Sequence, residues 1–185
     1  MVRMAQDEPN WIQNSRAGDT EAYAALVKEH QKMVHAMAFR MTGSLADAED
    51  LAQETFLRAF RQLGSFRAES KFSTWLCQIA VNLGLNWRAR ENRREDVHTK
   101  WAADAISENH LHGGFPDDLS RRVQNALDKL PAKQRAAIVL TVYEDKSHAE
   151  AAKILNCTEA TISWRVFAAR QKLKRLLKGI SNEQP

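Results

Sequence analysis

A chain of 185 residues is long enough for one medium-sized domain or two small ones, each with a modest core. Its 44% hydrophobic and 27% charged residues are typical of soluble globular proteins, and its formal net charge is only +4. No apolar run approaches the length of a membrane span, and the opening segment MVRMAQDEPNW lacks the apolar centre of a signal peptide. We therefore expect a cytoplasmic protein without membrane insertion.

The N-terminal part is predicted to form an all-helical bundle, because helical periodicity and helix-end signals recur while strand signals are missing. A first apolar stripe stops at Gly43, which suits a helix C-cap. Ser44 and Asp47 have the spacing of a capping box that begins a second helix, and Gly64 closes it. After the loop SFRAES, a third helix has its core stripe on Phe72, Leu76, Ile79 and Leu83.

The third helix carries a polar face with one aromatic residue beside its apolar stripe. At 100° per residue, the members of this face fall within about 80° of arc. A cation, an aromatic ring and amides suit phosphate neutralisation, base stacking and hydrogen bonding to an unpaired base, so single strands would be preferred over duplex. A partly buried tryptophan among hydrated amides explains the pattern equally well. The face consists of Lys71, Trp75, Gln78, Asn82 and Asn86.

Charge divides the chain into two basic regions with an acidic stretch between them. Residues 58–94 contain eight basic and two acidic side chains, whereas residues 96–118 contain five acidic side chains and one lysine. This distribution indicates a polyanionic partner contacted at two places, although chance unevenness in short windows gives similar counts. Periodicity fades in the acidic stretch, where HLHGGFP has the composition of a connector. We predict a bundle over residues 10–95, a flexible linker over 96–117 and a second helical domain over 118–180.

The second domain contains a helix-turn-helix pattern. Pro131 is placed to open one helix, and Ser147 and Glu150 have the spacing of a capping box for a later, short one. Asn156 occupies the turn position that glycine usually holds. Asparagine is compatible with this position because it tolerates a left-handed backbone. Thr158 caps a longer basic helix, and such a second helix can enter the DNA major groove. Helical hairpins without a DNA function share this pattern.

The long basic helix has one apolar stripe, from Ile162 to Leu177, that must be buried. Trp164 lies nearly opposite that stripe at 100° per residue. An exposed tryptophan followed by cations suits a flat, anionic partner, but charge alone supports an ordinary basic helix end equally well. The six cations are Arg165, Arg170, Lys172, Lys174, Arg175 and Lys178.

The sequence indicates no catalytic residue, metal site or cofactor. No pair among the six histidines has metal-ligand spacing with a partner nearby. Cys77 and Cys157 lie eighty residues apart without a CxxC companion, so buried thiols are expected in place of a zinc site or a disulfide. We therefore expect a protein that is not an enzyme.

Three segments together resemble a known family. DAEDLAQETFLRAFRQLGSF, FSTWLCQIAVNLGLN, and LPAKQRAAIVLTVYEDKSHAEAAKIL with the helix after it are similar, in order and spacing, to the two conserved regions of bacterial extracytoplasmic-function sigma factors. These proteins are the small specificity subunits of RNA polymerase. The resemblance covers about residues 18–178 and implies two helical domains joined by a linker.

The resemblance implies a role for each surface of the N-terminal bundle. In the family, the helix matching residues 47–63 docks on the clamp coiled coil of the largest polymerase subunit. The loop after it and an asparagine at the position of Asn82 capture a flipped base of the minus-ten element on the non-template strand. The polymerase-binding candidates are Asp47, Glu49, Asp50, Gln53 and Glu54, for which a solvated acidic helix start is the alternative. The minus-ten candidates are Arg67, Lys71, Trp75, Gln78 and Asn82.

The family's second domain reads the minus-thirty-five element as duplex DNA, but this sequence departs from the pattern. Ser163 and Ala168 stand where well-studied members use arginine, and Trp164 replaces a small polar residue. Because arginine reads guanine through two hydrogen bonds, we expect a different element from the usual guanine-rich one, read by contact with thymine methyl groups. The base-reading candidates are Thr161, Ser163 and Trp164. Arg165, Arg170, Lys172 and Arg175 are expected to hold phosphates or a neighbouring polymerase surface.

The resemblance also implies an anti-sigma protein that holds both domains until a signal releases it, and an acidic linker that runs through the polymerase toward the RNA exit path. Solubility alone would equally favour an acidic flexible linker. The competing hypothesis is a one-component transcriptional regulator that binds duplex DNA alone, with the bundle as sensor or dimeriser. That hypothesis predicts a palindromic site and tight binding without polymerase. The sigma-factor hypothesis predicts weak binding alone and promoter opening only with the core enzyme.

Overall fold

Eight α-helices and no strand form the part of the chain that this computed structural model describes, residues 4–101 and 118–178. The N-terminal helices are α1 (Met4–Arg16), α2 (Thr20–Thr42), α3 (Leu45–Gln62) and α4 (Phe72–Trp101), with a short 3-10 turn at Leu63–Ser65. The C-terminal helices are α5 (Asp118–Asp128), α6 (Ala132–Ile138), α7 (His148–Ile154) and α8 (Glu159–Leu176), and a π-helical turn at Val139–Tyr143 continues α6. The predicted all-α fold class is confirmed.

Local sequence sets the ends of several helices as predicted. Gly43 ends α2 in the left-handed conformation with a φ of 80°, and Ser44 caps α3 by accepting a hydrogen bond from the Asp47 amide at 3.4 Å. Ser147 and Glu150 form both hydrogen bonds of the capping box at the start of α7. These ends depend only on residues close together in the chain, which is why the sequence indicates them.

One helix and one helix boundary differ from the prediction. The first helix, α1, was not predicted, because Pro9 and the polar residues around it obscure its periodicity. Helix α4 continues to Trp101 and so extends past residue 96, where the linker was predicted to begin. The remainder of that predicted linker, residues 102–117, lies outside the described residues.

Helix α4 packs against α2 and α3 with its predicted stripe and also against α6 and α7. On the first side, the rings of Phe72 and His30 lie 5.4 Å apart. On the second side, Lys146 donates a hydrogen bond from Nζ to the Thr74 hydroxyl at 3.2 Å. Cys77, one turn beyond Thr74, is fully buried, and burial raises the pKa of its thiol to about 12. The second cysteine differs from the prediction, since it is only half-buried.

The N-terminal and C-terminal helices pack directly against each other, which the prediction of two separate units did not include. The guanidinium of Arg135 is buried between them, with Nη1 donating to the Met41 carbonyl and Nε to the Leu127 carbonyl, both at 2.8 Å. Its Nη1 also lies 3.0 Å from the carboxylate of Asp128. Burial lowers the pKa of Arg135 to about 10, so the group is still charged at neutral pH and depends on these partners.

A second set of contacts extends this interface. The Arg40 guanidinium lies over the Tyr143 ring, 4.1 Å from its centroid, at the end of the π-helical turn. Arg88 of α4 donates to the Asp128 carbonyl at 2.9 Å. Gly43 approaches α5 so closely that a Cβ atom there would lie 2.8 Å from the Asp128 carboxylate. Residues of both halves therefore belong to one hydrophobic core.

Candidate promoter and partner interfaces

The loop between α3 and α4 is anchored by one aromatic side chain. Phe66 is buried, and its ring centroid lies 5.5 Å from that of Phe72 and 5.2 Å from that of Trp75. Ala68 adopts a φ of 55°, in the left-handed region, where the loop bends. The loop therefore projects polar side chains into solvent from a fixed aromatic base. These exposed residues are Arg67, Glu69, Ser70 and Lys71.

The predicted polar face of α4 is present, but its tryptophan is not a free stacking surface. Gln78 and Asn82 are exposed one turn apart, whereas Trp75 is half-buried against Phe66 and Phe72. The alternative of a partly buried tryptophan among exposed amides therefore describes Trp75 better than an open platform. What the face offers is hydrogen-bonding amides beside a cationic loop.

Helices α7 and α8 form the predicted helix-turn-helix. Asn156 adopts a left-handed φ of 47°, and the Cys157 amide donates to the Ala152 carbonyl at 3.0 Å to close the turn. Thr158 caps α8 by accepting from the Thr161 amide at 3.2 Å. The buried side of α8 is its predicted apolar stripe, with Ile162 fully inaccessible. The opposite side of α8 is left for a partner.

Two large aromatic residues project from the exposed side of α8. Trp164 is 63% exposed, as predicted, and Phe167 is also 63% exposed. The two are three residues apart, so they lie on one helix face. Phe167 was not singled out from the sequence, although the same spacing rule applied to Trp164 would have identified it. An apolar pair of this size beside exposed Arg170 is unusual for a solvated surface.

Three of the predicted base or phosphate contacts are engaged within the domain. The Ser163 hydroxyl is 2.9 Å from Nδ1 of His148 in α7, and the Thr161 hydroxyl is 2.9 Å from that of Thr158. Arg165 is half-buried and donates from Nη1 to the Cys157 sulfur at 3.4 Å. These side chains brace the turn, whereas Trp164 and Arg170 point outward.

The predicted polymerase-binding residues lie on two different faces of α3. Three carboxylates, those of Asp47, Asp50 and Glu54, line a cleft of about 230 Å³ between α3 and α4, together with Arg58 and Arg90. Glu49 and Gln53 lie on the other face, at a groove between α2 and α3. The structure therefore separates a set that the sequence presented as one acidic surface.

The groove between α2 and α3 is open and mostly apolar, with a volume of about 470 Å³. Leu57 and Phe60 contribute to it and are 44% and 45% exposed. Tyr23 forms part of its wall, donates to the Phe56 carbonyl at 2.6 Å and contacts the Phe60 ring at 4.8 Å. Burial raises the pKa of the Tyr23 hydroxyl to about 12, so the hydroxyl stays protonated and can donate this hydrogen bond. A concave apolar surface with a polar rim is typical of a protein-binding site.

Within residues 4–101 and 118–178, no three histidine, cysteine, aspartate or glutamate side chains are grouped so that they could hold a metal ion. None of the helices in these residues is both long enough and apolar enough to span a bilayer.

Two family models match the chain, one in each half. Residues 26–94 match sigma-70 region 2, and residues 120–173 match sigma-70 region 4. The ECF RNA polymerase sigma factor SigW of Bacillus subtilis is 32% identical, over 91% of this chain and 96% of that protein. The ECF RNA polymerase sigma-E factor of Escherichia coli is also 32% identical, over 88% of this chain and 90% of that protein.

Two solved structures resemble this chain over most of its length. The sigma factor RpoE of Bartonella quintana, in complex with the anti-sigma factor NepR, superposes with a TM-score of 0.67 at 29% identity, over 84% of this chain and 96% of that one. CnrH in complex with the cytosolic domain of CnrY superposes with a TM-score of 0.65 at 27% identity, over 91% of this chain and 96% of that one.

Proposed function

The chain belongs to the extracytoplasmic-function sigma factors, and we propose that its two helical halves contact different parts of one promoter. As a member of this family it is a non-enzymatic transcription initiation factor that binds core RNA polymerase and directs it to specific promoters. The observation that carries the proposal is the pair of exposed surfaces, one per half. One combines amides with a cationic loop, and the other combines two aromatic rings with cations.

The N-terminal surface is assigned to the minus-ten element. Arg67 and Lys71 would neutralise phosphates, while Gln78 and Asn82 would hydrogen-bond the edge of an extruded base. Trp75 would contribute only its exposed part, because most of its ring supports the loop. Extruding a base costs a few kcal/mol, and a pocket with matched hydrogen bonds offsets that cost.

The C-terminal surface is assigned to the minus-thirty-five element in duplex form. Trp164 and Phe167 are the exposed apolar groups on α8 that can touch thymine methyl groups in the major groove. Thr161, Ser163 and Arg165 would position the helix through their contacts within the domain. Arg170 is exposed and holds a phosphate.

This assignment predicts different defects for Trp164→Ala and Arg170→Ala. Loss of the ring should reduce discrimination at one or two base pairs by about tenfold, since each base contact contributes about 1–3 kcal/mol. Loss of the arginine should weaken binding to every sequence equally. It should also reduce the magnitude of the slope of log K against the logarithm of the salt concentration by about 0.9. Competition of minus-thirty-five variants for the holoenzyme at several salt concentrations measures both. Selected sites that match the common guanine-rich family element would contradict the role given to Trp164.

The polymerase is assigned to the groove between α2 and α3. An apolar groove with Glu49 and Gln53 at its rim suits a helix that presents apolar and polar side chains together. Asp47 and Asp50, on the other face of α3, would attract basic residues of the same partner. Glu54, which is paired with Arg58 at 2.6 Å, would have to exchange that partner. Because the solved relative RpoE is in complex with the anti-sigma factor NepR, we also propose an anti-sigma partner for this chain. We further propose a cytoplasmic location, where the polymerase is found.

Run-off transcription tests the proposed function directly. Core polymerase should transcribe a library of promoter fragments only when the chain is added, because neither component alone selects and opens a promoter. Asn82→Ala, at an exposed position that contributes little to folding, should slow open-complex formation. Tight binding of the chain alone to a palindromic duplex, without core-dependent transcripts, would instead support the one-component regulator, which no observation here favours.

A further inference from the structure

Arg16, the last residue of α1, reaches across to the loop assigned to the minus-ten element. Its Nε donates to the Leu63 carbonyl at 3.1 Å, and its Nη2 donates to the Phe66 carbonyl. The guanidinium also lies 5.9 Å from the centroid of the Phe66 ring. One side chain therefore contacts both backbone and ring of the residue that anchors this loop.

The two carbonyls mark the point where the loop leaves α3. Leu63 begins the 3-10 turn, and its carbonyl also accepts the Phe66 amide at 3.2 Å. Phe66 is thus held on one side by Arg16 and on the other by the rings of Phe72 and Trp75. From Arg67 onward the loop is exposed, so its position depends on this anchor.

Helix α1 is itself fixed to the bundle. Glu8 contacts His30 of α2 at 2.8 Å, and Trp11 and Ile12 pack against the core. A planar guanidinium at the end of a fixed helix can bridge two carbonyls in a set geometry, which a lysine ammonium cannot reproduce. Arg16 also precedes residue 26, where the match to sigma-70 region 2 begins.

We infer that Arg16 is a positioning residue for promoter opening. It holds the Leu63 and Phe66 carbonyls. The loop of residues 65–71 therefore already has, before DNA binds, the conformation that receives an extruded base. A loop that is already ordered loses less conformational entropy when the base binds. This inference rests on the proposed assignment of the loop to the minus-ten element.

The test compares holoenzymes that contain wild-type chain, Arg16→Met, Arg16→Lys and, as a control, Arg61→Met. Arg61 is an exposed arginine in the last turn of α3 and has no role in the proposed surfaces. Open-complex formation is measured on promoters that carry an abasic site at each position of the non-template minus-ten strand in turn. With the wild-type chain, an abasic site at one position should slow open-complex formation more than at the others, because the base at that position is the one captured.

Arg16→Met should slow open-complex formation about tenfold on the intact promoter. In this variant, the abasic site at the sensitive position should slow the reaction little further, because the two changes remove the same interaction. Arg16→Lys should recover only part of the rate, and Arg61→Met should match wild type. In the free chain, amide hydrogen exchange should rise across residues 63–71 in Arg16→Met while α2 and α8 stay protected. That pattern separates loop positioning from loss of the fold.

Retention of the wild-type rate and of the abasic sensitivity by Arg16→Met would overturn the inference and leave the loop assignment standing. A uniform rise in amide hydrogen exchange through every helix of Arg16→Met and Arg16→Lys would also overturn the inference, because Arg16 would then support the fold as a whole. If the wild-type holoenzyme has no sensitive position, the assignment of the loop fails, and the inference fails with it.

Discussion

Replacing Arg135 with methionine should lower the free energy of unfolding by about 3 kcal/mol, since two buried carbonyls lose their donor at about 1–3 kcal/mol each. The carbonyls are those of Met41 and Leu127, and the Asp128 carboxylate loses its cation as well. Methionine fills much of the space but donates no hydrogen bond. Urea denaturation followed by circular dichroism measures the change.

Arg121→Met is the matched control for this substitution. Arg121 lies on α5, its side chain is 53% exposed, and its partner Asp118 is exposed too. An exposed ion pair contributes about 0–1 kcal/mol, so this variant should be nearly as stable as wild type. Equal stability of the two variants would show that the buried guanidinium does not hold the halves together.

Cys77 provides an independent measure of the same interface. Its thiol is buried on the side of α4 that faces α6 and α7, and its raised pKa leaves little thiolate at neutral pH. In a Cys157→Ser background, Arg135→Met should accelerate thiol modification by about a hundredfold, the factor that corresponds to about 3 kcal/mol. An unchanged rate would mean that the halves stay packed without Arg135.

Replacing Leu57 with aspartate should weaken binding to core RNA polymerase by at least about tenfold, while the fold is preserved. Leu57 is 44% exposed in the apolar groove between α2 and α3, so a charge there remains hydrated in the free chain. In the complex the aspartate charge would be buried against an apolar partner. The binding free energy from burial of the leucine side chain, about 1.5–3 kcal/mol, would also be lost. Fluorescence anisotropy of labelled chain titrated with core polymerase gives the affinity.

Leu45→Asp is the control, because Leu45 lies on the same helix, is 47% exposed and is absent from the groove lining. Its affinity for the core enzyme should stay within about threefold of wild type. If both variants bind equally well, or lose affinity equally, the groove is not the surface that the polymerase uses.

The helix-turn-helix shows how far local sequence can specify a site. The left-handed Asn156, the capping box at Ser147 and the exposure of Trp164 were all predicted, because each depends on neighbours within a few turns of the same helix. Which side chains are available to DNA was not predictable in the same way. Ser163 bonds to His148, fifteen residues away, only once α7 and α8 have packed.

Helix α3 shows the same limit at the predicted polymerase surface. Its acidic residues are all close in sequence, and the residues expected to bind polymerase could be chosen only as one group. The groove that includes Glu49 exists because α2 packs on one side of α3, and the cleft that includes Asp50 exists because α4 packs on the other. Neither cavity belongs to a single helix.

The sequence by itself determined every described helix except α1, most of the helix ends, the apolar stripes and the resemblance that identified the family, since these are properties of residues a few positions apart. Only the tertiary structure decided that the two halves pack on Arg135, whose bond to Met41 joins residues 94 positions apart, and that Arg16 reaches the loop at Phe66. The physical reason is that buried hydrogen bonds and apolar grooves form between helices. Their partners are set by how those helices dock, and the periodicity of one helix carries no record of its neighbours.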